Sequence, residues 1–260
     1  MEIHVDCDNG WVYSNDLEIP EMANLSIYSE AIPSFIELLK KYKVTGIFFV
    51  VGRDLLEDKF AKHALVSAVR NGNLIGNHTH GHKSQYSKMK NQEKFEEVEN
   101  CHQAILNTLG VEAVHFRAPG YSFNNKIAEK IYLQNYKYEG SYYKGIYLQL
   151  LNITFRLLKS SKVIKTEKPK KIDQKIKIQK IQTFSMFQLP IHSSFMVLYP
   201  KWLRDIIIKR MKTSADYYLF HAIDLVPNLH PNTKIPISGL NFEERMKLAE
   251  SIIARIASKK

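Results

Sequence analysis

The chain has 260 residues, 45% of them hydrophobic, and carries a formal net charge of +11. These values suit one large α/β domain or two small ones and argue against disorder. Two cysteines are too few for a disulfide framework, the first residues do not form a signal peptide, and no run of 18 apolar residues could span a membrane, so a cytoplasmic location is expected.

Strand and helix patterns alternate along the chain. Short runs rich in apolar, β-branched and aromatic residues predict strands at 1–5, 45–52, 74–78, 113–119, 136–141, 181–192 and 216–225. Apolar residues at helical spacing predict helices at 28–43, 91–110, 124–135, 201–212 and 241–260, and a further helix that runs from a capping Asp54 toward Arg70. The last helix begins at a capping box formed by Asn241 and Glu244.

Repeated strand–helix units predict parallel strands joined by right-handed crossovers. About seven strand candidates favour an irregular (β/α) barrel over an open sheet. The prediction is an α/β fold with one catalytic domain over residues 1–260 and a basic insertion at about 146–182. In such barrels the functional side chains lie at the C-terminal ends of the strands.

The insertion carries most of the positive charge. Residues 156–180 contain ten Lys or Arg and two acids. A solvated face or loop is the ordinary interpretation, and an anionic membrane surface, a phosphate-bearing substrate or nucleic acid are the alternatives. The apolar run at 146–158 fits either a packed barrel helix or a segment that lies on an anionic membrane face.

Four predicted strands end in polar clusters, with the sequences DCD, HTHGH, RAPGY and HAID. His78 and His82 are four residues apart, a spacing that places two imidazoles on one face of a helical turn. An aspartate from the first strand would complete a His-His-Asp metal site with open positions for water and substrate. Of Asp6 and Asp8, one could then bind the metal and the other accept a proton from water. The alternatives are a surface loop with three histidines and an aspartate pair that caps a helix.

Taken in order, the runs VDCDNG, HTHGH, RAPGY and LFH resemble the motifs of the polysaccharide deacetylases, carbohydrate esterase family four. The resemblance covers residues 1–141 and, less fully, 216–225. It implies a deacetylase-type barrel and a metal-dependent hydrolase that removes an acetyl or formyl group from an N-acylated sugar, cleaving a non-peptide carbon–nitrogen bond.

The resemblance also implies a role for each matching residue around the metal. Asp6 would be the general base, and Arg117 would orient it and favour its ionised form. The metal ligands would be Asp8, His78 and His82. One divalent ion is expected, zinc in the first place, with cobalt, nickel or manganese as alternatives.

The remaining matches concern the acyl group and the leaving amine. The backbone N–H of Tyr121 would stabilise the oxyanion, and His221 would protonate the leaving group. Supporting positions would be Thr79, Pro119, Gly120 and Asp224, the last of which could orient His221 or cap the next turn.

The sequence departs from the family pattern in two places. Cys7 separates aspartates that are usually adjacent, and the acidic motif that props the catalytic histidine is absent, with Ser141 near its place. The support of His221 is therefore left open. Residues 10–26 are predicted to form a loop that could act as a lid.

The expected substrate is an acylated sugar or glycolipid. The missing export signal favours a lipid-linked glycan precursor, met in the cytoplasm or by a peripheral protein at the inner membrane face. Nucleic acid is not expected, because no nucleic-acid-binding module is visible. Two alternatives are a non-catalytic basic surface-binding protein on a degenerate barrel, and a metal-dependent glycosyltransferase that uses Asp6 and Asp8.

Overall fold

The structure is a computed structural model that describes residues 1–143, 165–170, 176–181, 183–184, 189–211, 216–229 and 236–258. Among these residues, seven parallel strands form one sheet: β1 (Glu2–Cys7), β2 (Gly46–Val50), β3 (Leu74–Asn77), β4 (His115–Phe116), β5 (Tyr138–Glu139), β6 (Lys177–Ile178) and β9 (Tyr217–His221). Their order is β6-β5-β4-β3-β2-β1-β9. A separate antiparallel hairpin consists of β7 (Thr183–Phe184) and β8 (Leu189–Pro190).

Residues near β6 connect the two edges of this sheet. β6 pairs with β5 at one edge, and three residues later Ile181 forms a parallel bridge with Tyr217 of β9 at the other. Tyr217 also donates its hydroxyl hydrogen to the carbonyl oxygen of Gly140, at 3.0 Å. The predicted irregular barrel of seven parallel strands is confirmed.

The sixth predicted strand is in the wrong place. Residues 181–192 were expected to form it, but the strand that pairs with β5 is Lys177–Ile178. The described part of 181–192 forms the hairpin and two single bridges to β9, from Ile181 and His192. Pro190 has no N–H to donate to a central ladder, which is consistent with its place in a short hairpin.

The α-helices of the described residues lie around the barrel. They are α1 (Gly10–Leu17), α2 (Ile27–Lys41), α3 (Gly52–Glu57), α4 (Ala61–Arg70), α5 (Asn91–Leu109), α6 (Asn125–Tyr132), α7 (Ser193–Met196), α8 (Lys201–Arg210) and α9 (Phe242–Ala257). The helix predicted at 91–110 is present as α5, and it ends at Gly110, which adopts the left-handed conformation at φ 69°. The predicted capping box of α9 is also present.

Two local predictions are wrong. Residues 10–26 are not a lid loop: they form α1 and a short 3-10 turn, Pro20–Met22, and Met22 is buried. Asp54 does not cap a single long helix, because the predicted segment is divided into α3 and α4 and Asp54 lies within α3. Its carboxylate instead accepts hydrogen bonds from Trp11 at 2.7 Å and Tyr28 at 3.1 Å. Burial raises the pKa of Asp54 to about 7.

Strand alternation divides the side chains of β1 between two surroundings. Val5 and Cys7 belong to the main apolar core. His4 and Asp6 lie on the opposite face of the strand, since successive side chains point to opposite faces. The Asp-Cys-Asp spacing therefore directs Cys7 into the apolar core and places the carboxylates of Asp6 and Asp8 on the opposite face.

The predicted apolar segment 146–158 lies outside the described residues, as does most of the insertion at 146–182. Within the described part of the chain, none of the helices has both the length and the hydrophobicity needed to cross a bilayer.

Replacing Asn241 by alanine should lower the free energy of unfolding by about 1 kcal/mol, because the side chain accepts the Glu244 N–H at 3.0 Å at the start of α9. Urea denaturation measures the change. Asn241→Asp, which keeps the accepting oxygen, should lose much less. An equal loss in both variants would show that the cap does not stabilise the helix.

Candidate active site

Polar side chains from four strands meet at the C-terminal end of the barrel. Asp6 lies near the end of β1 and Asp8 follows it, His78 follows β3, Arg117 follows β4, and His221 ends β9. The parallel register aligns Asp6 of β1 directly with His221 of β9. The predicted gathering of residues distant in sequence is therefore present in the structure.

Asp8, His78 and His82 form a group suited to one metal ion. The Asp8 Oδ1 atom lies 3.3 Å from His78 Nε2 and 3.2 Å from His82 Nε2. One potential ligand atom from each residue lies within 4.8 Å of the others. One carboxylate and two imidazoles are a common donor set for zinc and for other first-row divalent ions.

The orientation of His78 also fits a metal ligand. Its Nδ1 atom lies 2.7 Å from the carbonyl oxygen of Arg117. Because a carbonyl can only accept, Nδ1 carries the proton and Nε2 presents its lone pair toward Asp8 and His82. The buried Asp8 Oδ1 atom accepts no hydrogen bond from the described residues. A bound cation would compensate this oxygen.

Charge interactions set the protonation of the three residues. Burial acts to raise the pKa of Asp8, but His82 and His78 outweigh it and lower that pKa. Burial acts to lower the pKa of His78, but the Asp6 and Asp8 carboxylates outweigh it and raise that pKa. Burial lowers the pKa of His82. The carboxylate is therefore ionised and ready to bind a cation at neutral pH.

Residues 78–82, called here the histidine loop, do not form the predicted helical turn. Thr79 and His82 both have positive φ, at 69° and 38°. The Thr79 N–H donates to Asn77 Oδ1 at 2.9 Å, while the Asn77 amide donates to the carbonyl of Val98 and to Tyr136. Within the described residues the Thr79 hydroxyl has no partner. The loop is thus braced through the backbone of Thr79 and through Asn77, a residue that the motifs did not point to.

Helix α3 holds the same loop from the side. The N–H of Gly52 donates to the carbonyl of Thr79 at 3.0 Å, and the N–H of Arg53 donates to that of His80 at 2.9 Å. A Cβ atom at Gly52 would lie 2.7 Å from His80 Nδ1 and 2.8 Å from the Cα of Cys101. Only glycine permits this close approach of helix and loop.

Arg117 forms a buried ion pair with Asp6. The Arg117 Nε atom lies 3.3 Å from Asp6 Oδ1, and their side chains are 2% and 6% exposed. The guanidinium lies between the rings of Phe49 and Tyr217, with 4.5 Å from its central carbon to each ring centre. The other Asp6 oxygen, Oδ2, is 3.9 Å from His78 Nε2. Asp6 is thus oriented beside the Asp8, His78 and His82 group and is not one of its members.

The loop after β4 turns sharply at the predicted positions. Pro119–Tyr121 form a 3-10 turn in which Gly120 and Tyr121 have φ values of 60° and 56°. The Ser141 hydroxyl oxygen accepts the N–H of Ala118 at 2.7 Å. Ser141, which stands near the place of the missing acidic motif, therefore supports this loop rather than His221.

Ser194 lies within hydrogen-bond distance of the His221 ring, and no sequence pattern predicted it. Its Oγ atom lies 3.2 Å from His221 Nδ1. Asp224 instead accepts the backbone N–H of His221 at 2.8 Å and caps the following 3-10 turn. Of the two roles left open for Asp224, this geometry favours the cap. Burial raises the pKa of Asp224 to about 6.

His192 is a second residue missed from the sequence. Its ring centre lies 5.9 Å from that of His221 and 6.3 Å from that of Tyr121. The residue is 4% exposed, and neither ring nitrogen has a partner among the described residues. His192 ends the predicted strand 181–192, so the same strand-end rule that selected His221 could have found it.

Comparison with known proteins agrees with these motifs. The sequence model of the family described as polysaccharide deacetylase matches residues 20–138. A peptidoglycan-N-acetylglucosamine deacetylase, PgdA, from Listeria monocytogenes is 26% identical over 104 residues, which are 40% of this chain and 21% of that protein. The match therefore spans about a fifth of this relative's length.

Solved structures share the fold. A polysaccharide deacetylase described as putative, from Mycobacterium smegmatis, superposes with a TM-score of 0.61 at 15% identity, over 99% of this chain and 83% of that one. A CE4 family pseudoenzyme from Bacillus anthracis gives 0.55 at 13% identity, over 99% and 60%. Since a pseudoenzyme shares the fold, activity has to be argued from the site residues.

Wild-type protein should hold one divalent ion per chain, and the His78→Ala/His82→Ala double variant should hold none, because only one ligand remains. Elemental analysis after dialysis against zinc measures this, with the exposed His63→Ala as the matched control. Acidification should also release the ion from the wild type, since a proton on His78, whose pKa is raised, competes with it. An ion retained by the double variant would place the metal elsewhere.

Proposed function

Because the chain belongs to the polysaccharide deacetylase family, we propose that it is a metal-dependent hydrolase that removes an acyl group from an N-acylated sugar. The observation that carries the proposal is the Asp8, His78 and His82 group beside an ion-paired Asp6.

The metal site supplies electrophilic activation. When bound by Asp8, His78 and His82, a divalent ion such as zinc would polarise the acyl carbonyl and lower the pKa of water. Cobalt, nickel and manganese suit the same donor set.

Asp6 is suited to act as the general base. Arg117 fixes one of its oxygens, while Oδ2 is on the side of the metal ligands, 3.9 Å from His78 Nε2. A carboxylate held in this way can accept a proton from attacking water without a large rearrangement.

His221 is suited to protonate the leaving nitrogen. It lies beside Asp6 across the β1–β9 ladder, so base and acid flank the same volume. Ser194 orients the ring through Nδ1, which leaves Nε2 for proton transfer. The backbone N–H of Tyr121 is proposed to stabilise the oxyanion, with Pro119 and Gly120 shaping the turn that presents it.

A neighbouring groove supports a sugar substrate. A cavity of about 360 Å³ is lined by residues that include Asn9, Trp11, Arg53 and Asp58. Asn9 follows the metal ligand Asp8 directly, and Arg53 is hydrogen-bonded to the histidine loop. The combination of an aromatic ring with planar polar side chains suits a hydroxylated ligand, and the reacting group would have to extend beyond this cavity, since its lining does not include the proposed catalytic residues.

The proposed substrate is an N-acetyl or N-formyl sugar within a lipid-linked glycan precursor, met in the cytoplasm or at the inner membrane face. The Listeria relative is named for N-acetylglucosamine in peptidoglycan, which supports an N-acylated amino sugar as the reacting unit. The basic character of the chain supports a contact with anionic lipid. The glycosyltransferase alternative leaves His78, His82 and His221 without a role.

Asp6→Asn should reduce kcat by about 10²- to 10⁴-fold, since the amide cannot accept the proton, while the metal content stays at the wild-type level. Release of acetate or formate from a panel of N-acylated sugars measures kcat. Asp205→Asn, on the exposed face of α8, is the matched control. Full activity in Asp6→Asn would remove the proposed base, and no release by metal-loaded wild type would favour a pseudoenzyme.

Ser194→Ala should lower kcat by about 2- to 10-fold, the effect of one hydrogen bond, with little change in KM or melting temperature. Asp224→Asn should mainly lower the melting temperature, because its carboxylate caps the turn after His221. Steady-state kinetics and thermal denaturation of both variants measure this. The opposite pattern, with kcat lost only in Asp224→Asn, would make Asp224 the residue that orients His221.

A further inference from the structure

We propose that helix α8 and the turn before it form a contact surface for an anionic lipid bilayer. The surface, named here the α8 face, consists of the apolar residues Leu198, Trp202 and Ile206 and the basic residues Lys209 and Arg210. Membrane binding by this face does not depend on the proposed function. The further statement that it brings the enzyme to a lipid-linked substrate rests on the proposed function.

The α8 face exposes large apolar side chains in a row. Leu198 is 60% exposed, Trp202 64% and Ile206 38%. Trp202 and Ile206 are four residues apart, which places them on one side of the helix, and Leu198 lies in the turn before it. The opposite side is already used, since Ile207 is buried in the main core and α8 packs against α9. The exposed row is therefore a second apolar side that the fold does not need for its own core.

Basic residues border this apolar row. Residues 201–210 contain Lys201, Arg204, Lys209 and Arg210 against a single acid, Asp205. That acid is paired with Lys201 at 2.7 Å, so Lys209 and Arg210 keep their charge uncompensated by the helix's own residues. Both are exposed. The α8 face thus combines exposed apolar side chains with excess positive charge.

An anionic bilayer fits this combination better than a protein partner does. Interfacial helices place Trp and Leu into the headgroup boundary and Lys or Arg against the lipid phosphates. Tryptophan is enriched at this depth because its ring is apolar and its N–H is polar. Contact at the surface also agrees with the finding that the described helices cannot cross a bilayer. A lipid-linked substrate would then be met on the surface where the enzyme rests.

The test uses vesicles of phosphatidylglycerol and phosphatidylcholine in a 3:7 ratio, roughly a typical anionic surface, with pure phosphatidylcholine as the comparison. We expect wild-type protein to co-sediment with the anionic vesicles and its tryptophan emission to shift to the blue. The chain has two tryptophans, so Trp202→Phe identifies the source. This variant should keep sedimenting and lose the shift, because phenylalanine is apolar and Trp11 lies elsewhere.

Trp202→Ser/Ile206→Ser should abolish sedimentation, and Lys209→Gln/Arg210→Gln should weaken it about fivefold for each charge removed. Leu133→Ser is the matched control, since Leu133 is 79% exposed at the end of α6. Binding that is absent in the wild type, or unchanged in Trp202→Ser/Ile206→Ser, overturns the proposal. Dimerisation that is lost in that variant, seen by analytical ultracentrifugation without lipid, would also overturn it and assign the face to a second copy of the chain.

Activity on a soluble N-acylated sugar separates the two proposals. Trp202→Ser/Ile206→Ser should hydrolyse that sugar at the wild-type rate even though it no longer binds vesicles. A protein that binds vesicles but shows no hydrolysis would keep the α8 face and contradict the proposed enzyme.

Discussion

The site depends on one buried residue, Arg117, which constrains both the proposed base and a proposed metal ligand. Its guanidinium pairs with Asp6, and its backbone carbonyl accepts the proton of His78 Nδ1. Burying an unpaired guanidinium would cost several kcal/mol or more, so the pair with Asp6 and the flanking rings of Phe49 and Tyr217 have to form together. Compensation of one charge therefore holds Asp6 close to His78, which the Arg117 carbonyl orients.

The barrel converts this local requirement into a functional arrangement. Strand β1 lies between β2 and β9, and its register places Asp6 beside His221. Alternation along β1 sends Cys7 into the core and keeps Asp6 on the inner face, so the interrupted Asp-Cys-Asp motif still delivers two carboxylates to one end of the barrel. The proposed metal ligands, base and acid therefore occupy the same end although they are up to 215 residues apart in the sequence.

Strand-end chemistry was predictable from the sequence, whereas the supporting contacts were not. Periodicity locates Asp6 and His221 because a buried strand that ends in a charged group is unusual. The positive φ angles of Thr79 and His82 have no such pattern, since loop conformation depends on contacts with α3 and Asn77. Ser194 was missed because a serine four residues after a proline resembles any helix start, and only the bridge from His192 to Leu219 brings it near His221.

X-ray absorption spectroscopy of the metal-loaded protein tests the central claim most directly, because it reports the atoms bound to the ion. The account predicts a first shell of nitrogen and oxygen only, with the multiple-scattering pattern of two imidazoles in the wild type and of one in His82→Ala. A shell that contains sulfur, or one that lacks imidazole scattering in the wild type, would contradict a centre built from Asp8, His78 and His82.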